Sequence, residues 1–197
     1  MTLYSYCLRI DDGAAPNPYW GTCTLAICKP AIRRTAKVGD WIMGNGSKGE
    51  WDHHDISQSM VYAMRVTKVV SMKDYDVYCR KSLPGKIPSW TNSDFCRKVG
   101  DCIYAFDFGA EPTLRRSVHH ERNRETDLSG RNVLLSQHFY YFGNRPVALP
   151  KNLLSIIHST QGHKSHANDP YAEDFVKWVE GQGWQENALL GEPQLKG

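Results

Sequence analysis

The chain has 197 residues, 41% of them hydrophobic and 11% aromatic, enough to bury one good core and no more. A formal charge of only +3 excludes a protein that coats nucleic acid through its net charge, so any contact with phosphate must be local. No apolar run approaches the roughly 18 residues of a membrane span, the N-terminus carries no basic-then-apolar leader, and the six cysteines include no C-x-x-C pair. The expectation is a cytoplasmic protein with reduced, mostly buried thiols, no membrane partner, no metal and no cofactor.

In chain order, Thr2 to Ile10 alternates apolar residues in the manner of a strand, and Asp11-Asp12-Gly13 ends it as a turn. Pro16-Asn17-Pro18 follows as a stiff extended loop, because each proline fixes its own φ and restricts the residue before it. Thr22 to Cys28 reads as a second strand closed by Pro30, and Val38-Gly39-Asp40 turns into a third that runs to Gly44. Met60 to Val70 is the clearest strand. Met72 to Arg80 is a short helix entered from Ser71, and Leu83 to Lys98 is an ordered loop rich in turn residues. Ile103 to Phe108 reads as a short aromatic strand, Glu111 to Arg131 as polar and irregular, and Asn132 to Phe142 as a further strand. Pro150 to His158 is a helical turn, and Asp169 to Glu180 is the best helix, with Phe175, Trp178 and Val179 on one face. The pattern predicts an α+β fold built on a small twisted, β-barrel-like sheet with peripheral short helices, a single domain over 1–184 and a frayed polar tail over 185–197.

Several residues could carry function. Lys29, Arg33, Arg34 and Lys37 form a basic run with no acid among them, suited to phosphate. Asn17 offers an amide donor and acceptor to a base edge. Trp20, Trp41 and Tyr140 could stack on a base, and Asn45 lies in the Gly/Asn turn after the third strand. On a strand, His138, Tyr140 and Phe142 share one face and Phe139 and Tyr141 the other, so one face is expected in the core and the other at a cleft. His163 and Lys164 sit in a Q-G-H-K loop whose amides could face an anion. Each has a plainer reading as core, cap or solvated surface.

Catalytic signals are weaker. His138 and His163 are candidate general acids or bases, with Asp11 or Asp12 assisting. His53-His54-Asp55 and His119-His120-Glu121 suggest a metal site, but adjacent histidines diverge on a strand and spacing assigns no third ligand. No Ser/His/Asp, Cys/His, P-loop or dinucleotide-binding signature is recognisable.

The succession of D-D-G-x-A-P-N-P, G-T-C-T-L-A-x-C-K-P-x-I-R-R, V-G-D-W-I-M-G-N-G-S, V-Y-A-M-R-V-T, V-L-L-S-Q-H-F-Y-Y-F-G and Q-G-H-K resembles the nucleotide modification associated domain family, type 2, over Tyr4 to Lys164. The V-G-D-W turn is also similar to that of PUA-like domains, the ASCH and EVE domains among them, whose barrels hold a base in a cleft. The resemblance implies a modified nucleotide or nucleic acid as partner, read within a bacterial or phage modification or defence system. The first reading is a reader module, with Asn17, Trp41 or Tyr140 on the base and Arg33, Arg34 and Lys164 on phosphate. The alternative is an enzyme acting on a nucleotide or modified base through a histidine.

Overall fold

In the computed structural model, which describes residues 1–48, 55–107 and 111–194, eleven strands and five α-helices are present. The strands are β1 (Leu3–Cys7), β2 (Cys23–Leu25), β3 (Trp41–Asn45), β4 (Ser59–Arg65), β5 (Lys68–Ser71), β6 (Tyr104–Ala105), β7 (Thr113–Leu114), β8 (Asn132–Ser136), β9 (Phe139–Tyr141), β10 (Val147–Ala148) and β11 (Ala188–Leu189). The helices are α1 (Pro30–Thr35), α2 (Met72–Ser82), α3 (Phe95–Lys98), α4 (Arg124–Ser129) and α5 (Ala172–Glu180).

The principal sheet runs β1-β3-β4-β9-β11, with β10 also on β4, and a second sheet runs β2-β8-β5. The two long strands expected from the sequence each break at a polar corner. Thr67 divides β4 from β5, and Gln137-His138 divides β8 from β9, so both chains leave one sheet and enter the other. At the corners Thr67 receives a hydrogen bond from the amide of Gln137 (3.1 Å), and Ser136 Oγ donates to the carbonyl of His138 (2.8 Å). The architecture is α+β in three sheets, and their ladders do not close into a ring among the described residues.

Both faces of the principal sheet are buried, which explains its near-continuous apolar strands. Tyr4, Tyr6, Ile42, Tyr62, Met64, Phe139 and Tyr141 meet Leu25 and Leu134 of the second sheet. On the opposite face Leu3, Trp41, Met43, Ala63, Tyr140 and Phe142 pack under Phe175 and Val179 of α5. The far face of the second sheet is covered by α2 through Met72, Tyr75 and Cys79. Ser71 caps α2 as its position suggests, its hydroxyl accepting from the amide of Asp74 at 3.0 Å. Gly44 is required by this packing, since a Cβ there would lie 2.5 Å from the Tyr62 ring.

Three expectations are corrected. Pro30 does not merely close the second strand but opens α1 (Pro30–Thr35), because proline at the first helical position costs no hydrogen bond. The polar stretch 111–131 contains β7 and α4. The last residues are not frayed throughout: β11 pairs with β9, and the Gln194 amide reaches Asp11 (3.4 Å). Phe108, His53 and His54 lie outside the described residues.

Candidate functional site

Strands β1 and β3 run parallel, Cys7 lying opposite Asn45, so their carboxyl ends open side by side. Chain leaving both ends surrounds a cleft with two lobes that share Cys7 and Arg9. The larger, of about 360 Å³, is lined by Leu8, Ile10, Ala15, Cys28, Lys29, Thr160 and Gln161. Around the smaller, of about 240 Å³, stand Gly46, Ser47, Lys48, Ser57 and Ser159. The carboxyl edge of parallel strands is where open sheets usually receive ligands, because the chain must diverge there.

The cleft is cationic. Arg9 and Lys48 are exposed, Lys29 is half-buried, and no described lining residue is a carboxylate. Lys29 holds its ammonium 4.3 Å from the centre of the Tyr6 ring, and burial pulls its pKa below the usual value. Asp55 faces Lys48 across a β-bridge and accepts a hydrogen bond from the amide of Ser57 (2.9 Å). Ser47 adds a buried hydroxyl that makes no hydrogen bond among the described residues. A buried donor without a partner costs about 1–3 kcal/mol, which a bound acceptor would recover.

The wall formed by residues 158–164 is anchored by two residues expected to touch ligand. Asn45 is fully buried, donating to the His158 carbonyl (3.0 Å) and accepting from the His158 amide (3.1 Å). Lys164 pairs its backbone with Ser5 in both directions (3.0 and 2.8 Å) and spends its ammonium on the Ser155 carbonyl (3.0 Å). His163 stands beside this wall against the Tyr4 ring, 5.8 Å between centres. Burial, His158 and Lys29 lower its pKa, which favours neutral imidazole.

At the edge of the larger lobe lies a group that spacing could not reveal. Cys28 occupies the turn between β2 and α1 with φ of 58°, and Lys29 follows with φ of 38°. Consecutive left-handed residues without glycine cost about 1–3 kcal/mol each and persist only where their surroundings impose them. Here Asp127 of α4 accepts from the Cys28 amide through Oδ1 (3.0 Å), and Arg33 Nε donates to the Cys28 carbonyl (2.8 Å). Cys28 Sγ lies 3.5 Å from His119 Nε2, and His119 Nδ1 lies 2.6 Å from Asp127 Oδ2. Tyr104 donates its hydroxyl to the same Oδ2 at 3.1 Å. Burial alone would lower the His119 pKa, but its hydrogen bonds to Asp127 and Cys28 outweigh that and raise it to about 10. No group of three or more His, Cys, Asp or Glu among the described residues is arranged to hold a metal ion. The contacts of His119 with Cys28 and Asp127 set sulfur, imidazole and carboxylate in a linear relay.

The other expected residues are placed elsewhere. Asn17 is fully buried, its amide donating to the carbonyls of Gly13 and Val99 (both 3.0 Å) and its oxygen accepting from the buried Lys86 ammonium (2.6 Å). Arg33 is also fully buried. It faces the carbonyls of Cys28, Asp127 and Asn132, because the helical turn of α1 aims Ile32, Arg33 and Ala36 inward. Arg34 stays outside on the Ser129 carbonyl (2.9 Å), and Lys37 is exposed. The basic run is thus divided among cleft, core and surface.

Trp41 and Tyr140 belong to the core beneath α5, so both faces of β9 are covered and neither opens onto a cleft. His138 is wedged at their edge, 5.1 Å from the Trp41 ring and facing Glu180 and Glu186 at 3.6 and 3.8 Å. Trp20 is exposed beneath Arg97 and lines neither lobe. Asp11 is buried, accepting from the Tyr141 hydroxyl (2.5 Å), and Asp12 closes its own turn on the Ala14 amide (3.0 Å). Among the described residues neither Asp11 nor Asp12 makes a hydrogen bond or ion pair with a histidine. Arg9, Lys48, Ser47, Cys28 and Asp127 were not singled out from the sequence, Gln161 entered only as part of the Q-G-H-K loop, and His119 only as a metal candidate.

Over residues 1–196 the chain matches the family model of nucleotide modification associated domain 2, and it belongs to that family. No curated protein and no solved structure matches it. No helix among the described residues is long and apolar enough to cross a membrane.

Proposed function

We propose that the cleft at the carboxyl ends of β1 and β3 binds a nucleotide, free or within a single strand, with phosphate in the smaller lobe and the base in the larger. The observation that carries this reading is the convergence of Arg9, Lys29 and Lys48 around a cleft with no carboxylate among its described lining residues. Ser47 supports the phosphate end with its unsatisfied hydroxyl, and family membership supports a ligand linked to nucleotide modification. In the larger lobe Leu8, Ile10 and Ala15 supply apolar surface for a base. Gln161, exposed on the rim, supplies the amide once expected of Asn17. The strands that bend between the two sheets stand in, on this reading, for the wall of a PUA-like barrel. In this reading the protein is a cytoplasmic reader of modified bases serving a bacterial or phage modification or defence system. A base taken from a duplex would first have to flip out, at a cost of a few kcal/mol, so modified or single-stranded targets are favoured.

The test is a titration of short single-stranded DNA, with and without base modifications, at two salt concentrations. Binding should weaken with salt, and the combined change Arg9→Ala and Lys48→Ala should weaken it further and reduce the slope of log K against log salt by about 0.7 per lost phosphate contact. An unchanged slope would remove the phosphate role from these residues.

A further inference from the structure

The relay of Cys28, His119 and Asp127 has a purpose that holding a ligand does not require. Core packing would be served by any small apolar residue at position 28. Instead a thiol stands at a strand-to-helix turn in a strained left-handed conformation, within reach of an imidazole that is itself fixed by a buried carboxylate. Nucleophilic enzymes place their serine or cysteine in the same way: a sharp turn exposes the side chain, an adjacent base carries its proton, and a third group holds the base. Cys28 also lines the larger lobe, where the reading above places the base, and Lys29 brings a cation to the neighbouring wall.

We propose that Cys28 is a covalent nucleophile that attacks a carbonyl substituent carried by the bound base, cleaving an amide or ester, with His119 as proton carrier and Asp127 as the positioning residue for His119. The site of this chemistry rests on the cleft assignment above; the reactivity of Cys28 does not. In the first half-reaction the thiolate sulfur bonds to the carbonyl carbon. The bond from that carbon to the leaving nitrogen or oxygen breaks, and the proton from His119 Nε2 passes to the leaving group. Water completes the cycle: it adds to the thioester carbon and gives a proton to His119, and the carbon–sulfur bond breaks to release a carboxylic acid and return the Cys28 sulfur and the protonated imidazole. No electrons are exchanged with a third party, and water is the only co-reactant. Burial opposes it, but hydrogen bonds to Asp127 and Cys28 raise the His119 pKa to about 10, which keeps the imidazole protonated beside the sulfur at neutral pH.

The first measurement needs no variant. The intact protein is treated with iodoacetamide across a range of pH, and the rates at Cys28 and Cys96, the two half-buried cysteines, are compared by peptide mass spectrometry. Cys28 should react at least about tenfold faster near neutral pH, because His119 stands beside its sulfur, while burial pushes the Cys96 thiol up and slows it. His119→Asn should slow Cys28 by at least about tenfold and leave the Cys96 rate unchanged, and a Cys28 rate indifferent to this change would overturn the proposal. Equal rates and profiles in the unaltered protein would overturn the proposal.

The second measurement uses p-nitrophenyl acetate and N-acetylated cytidine monophosphate. An acetyl adduct confined to Cys28 and release of acetate from the nucleotide, both abolished by Cys28→Ser, support the full proposal. Nucleotide binding without adduct or turnover would refute the nucleophile and leave the cleft assignment standing. Adduct formation without nucleotide binding would refute the cleft assignment and the base-linked substrate, while retaining the reactive thiol.

Discussion

The Lys86 ammonium lies 2.6 Å from the side-chain oxygen of Asn17, and both residues are entirely inside the protein. The same ammonium donates to the carbonyls of Asn17 (2.8 Å) and Thr22 (2.6 Å) and to Thr24 Oγ1 (3.0 Å). Thr24 in turn donates to Asp101 (2.5 Å), which also accepts from the Tyr75 hydroxyl (2.7 Å). Burial lowers the Lys86 pKa and raises that of Asp101, each partly offset by the other. Through this network the loop 16–18 is tied to the second sheet and to the segment after α2.

Asn17 is therefore expected to govern stability rather than affinity. Asn17→Ala should lower the unfolding free energy by about 2 kcal/mol, because Lys86 loses an acceptor and two carbonyls lose a donor. Lys86→Met should cost about 3–5 kcal/mol by leaving Asp101 without its counter-charge. Urea denaturation checks both. An Asn17→Ala protein of unchanged stability that no longer binds nucleotide would return Asn17 to the ligand.

Arg33 carries a parallel expectation. Its guanidinium links α1, α4 and β8 through three carbonyls and leaves no space for a side chain at Gly130. Arg33→Lys keeps the charge and loses the planar fork, so it should destabilise by about 3 kcal/mol. Because Arg33 also holds the Cys28 carbonyl, iodoacetamide labelling of Cys28 should change in the fraction that remains folded. Loss of phosphate affinity with stability and labelling untouched would contradict this placement.

These cases show what the sequence could and could not convey. Strand alternation found β1, β3, β4 and β9 because side-chain direction depends only on the neighbouring residues. The partition of β9 into a Tyr140–Phe142 face and a Phe139–Tyr141 face was equally legible. Whether a face meets solvent was not, because α5 and Trp184 cover Tyr140 from more than thirty positions away. Charge misled for a related reason. A basic run looks uniform along the chain, yet α1 turns Arg33 inward and Arg34 outward. The Cys28 relay was invisible because its members are 91 and 8 positions apart and His119 lies in a stretch with no periodicity.

Asp11 makes stability depend on acid. Burial raises its carboxyl from 3.8 to about 6, with the Tyr141 hydroxyl opposing the shift. A group whose folded pKa is raised contributes stability that is fully present below 3.8 and is lost as pH rises through 6; the loss amounts to about 3 kcal/mol. Asp11→Asn should remove this dependence and make the protein more stable than the parent near neutral pH, with little difference near pH 4. Urea midpoints of the two proteins across that range decide the matter, and parallel curves would show that Asp11 does not titrate there.

His119 should act on stability in the same sense at higher pH. Its imidazole is raised from 6.5 to about 10, so its contribution is fully present below 6.5 and fades as pH rises through 10. The charged or titratable groups facing it are Asp127 and Cys28, with Tyr104 on the same carboxylate. His119→Asn should therefore cost about 2–3 kcal/mol at neutral pH, a discounted figure because the side chain is partly solvated, and the gap from the parent should narrow as the solution becomes alkaline. Denaturation curves for both proteins from neutral to about pH 10 test this. A gap that stays constant would mean that the imidazole is held neutral in the resting protein.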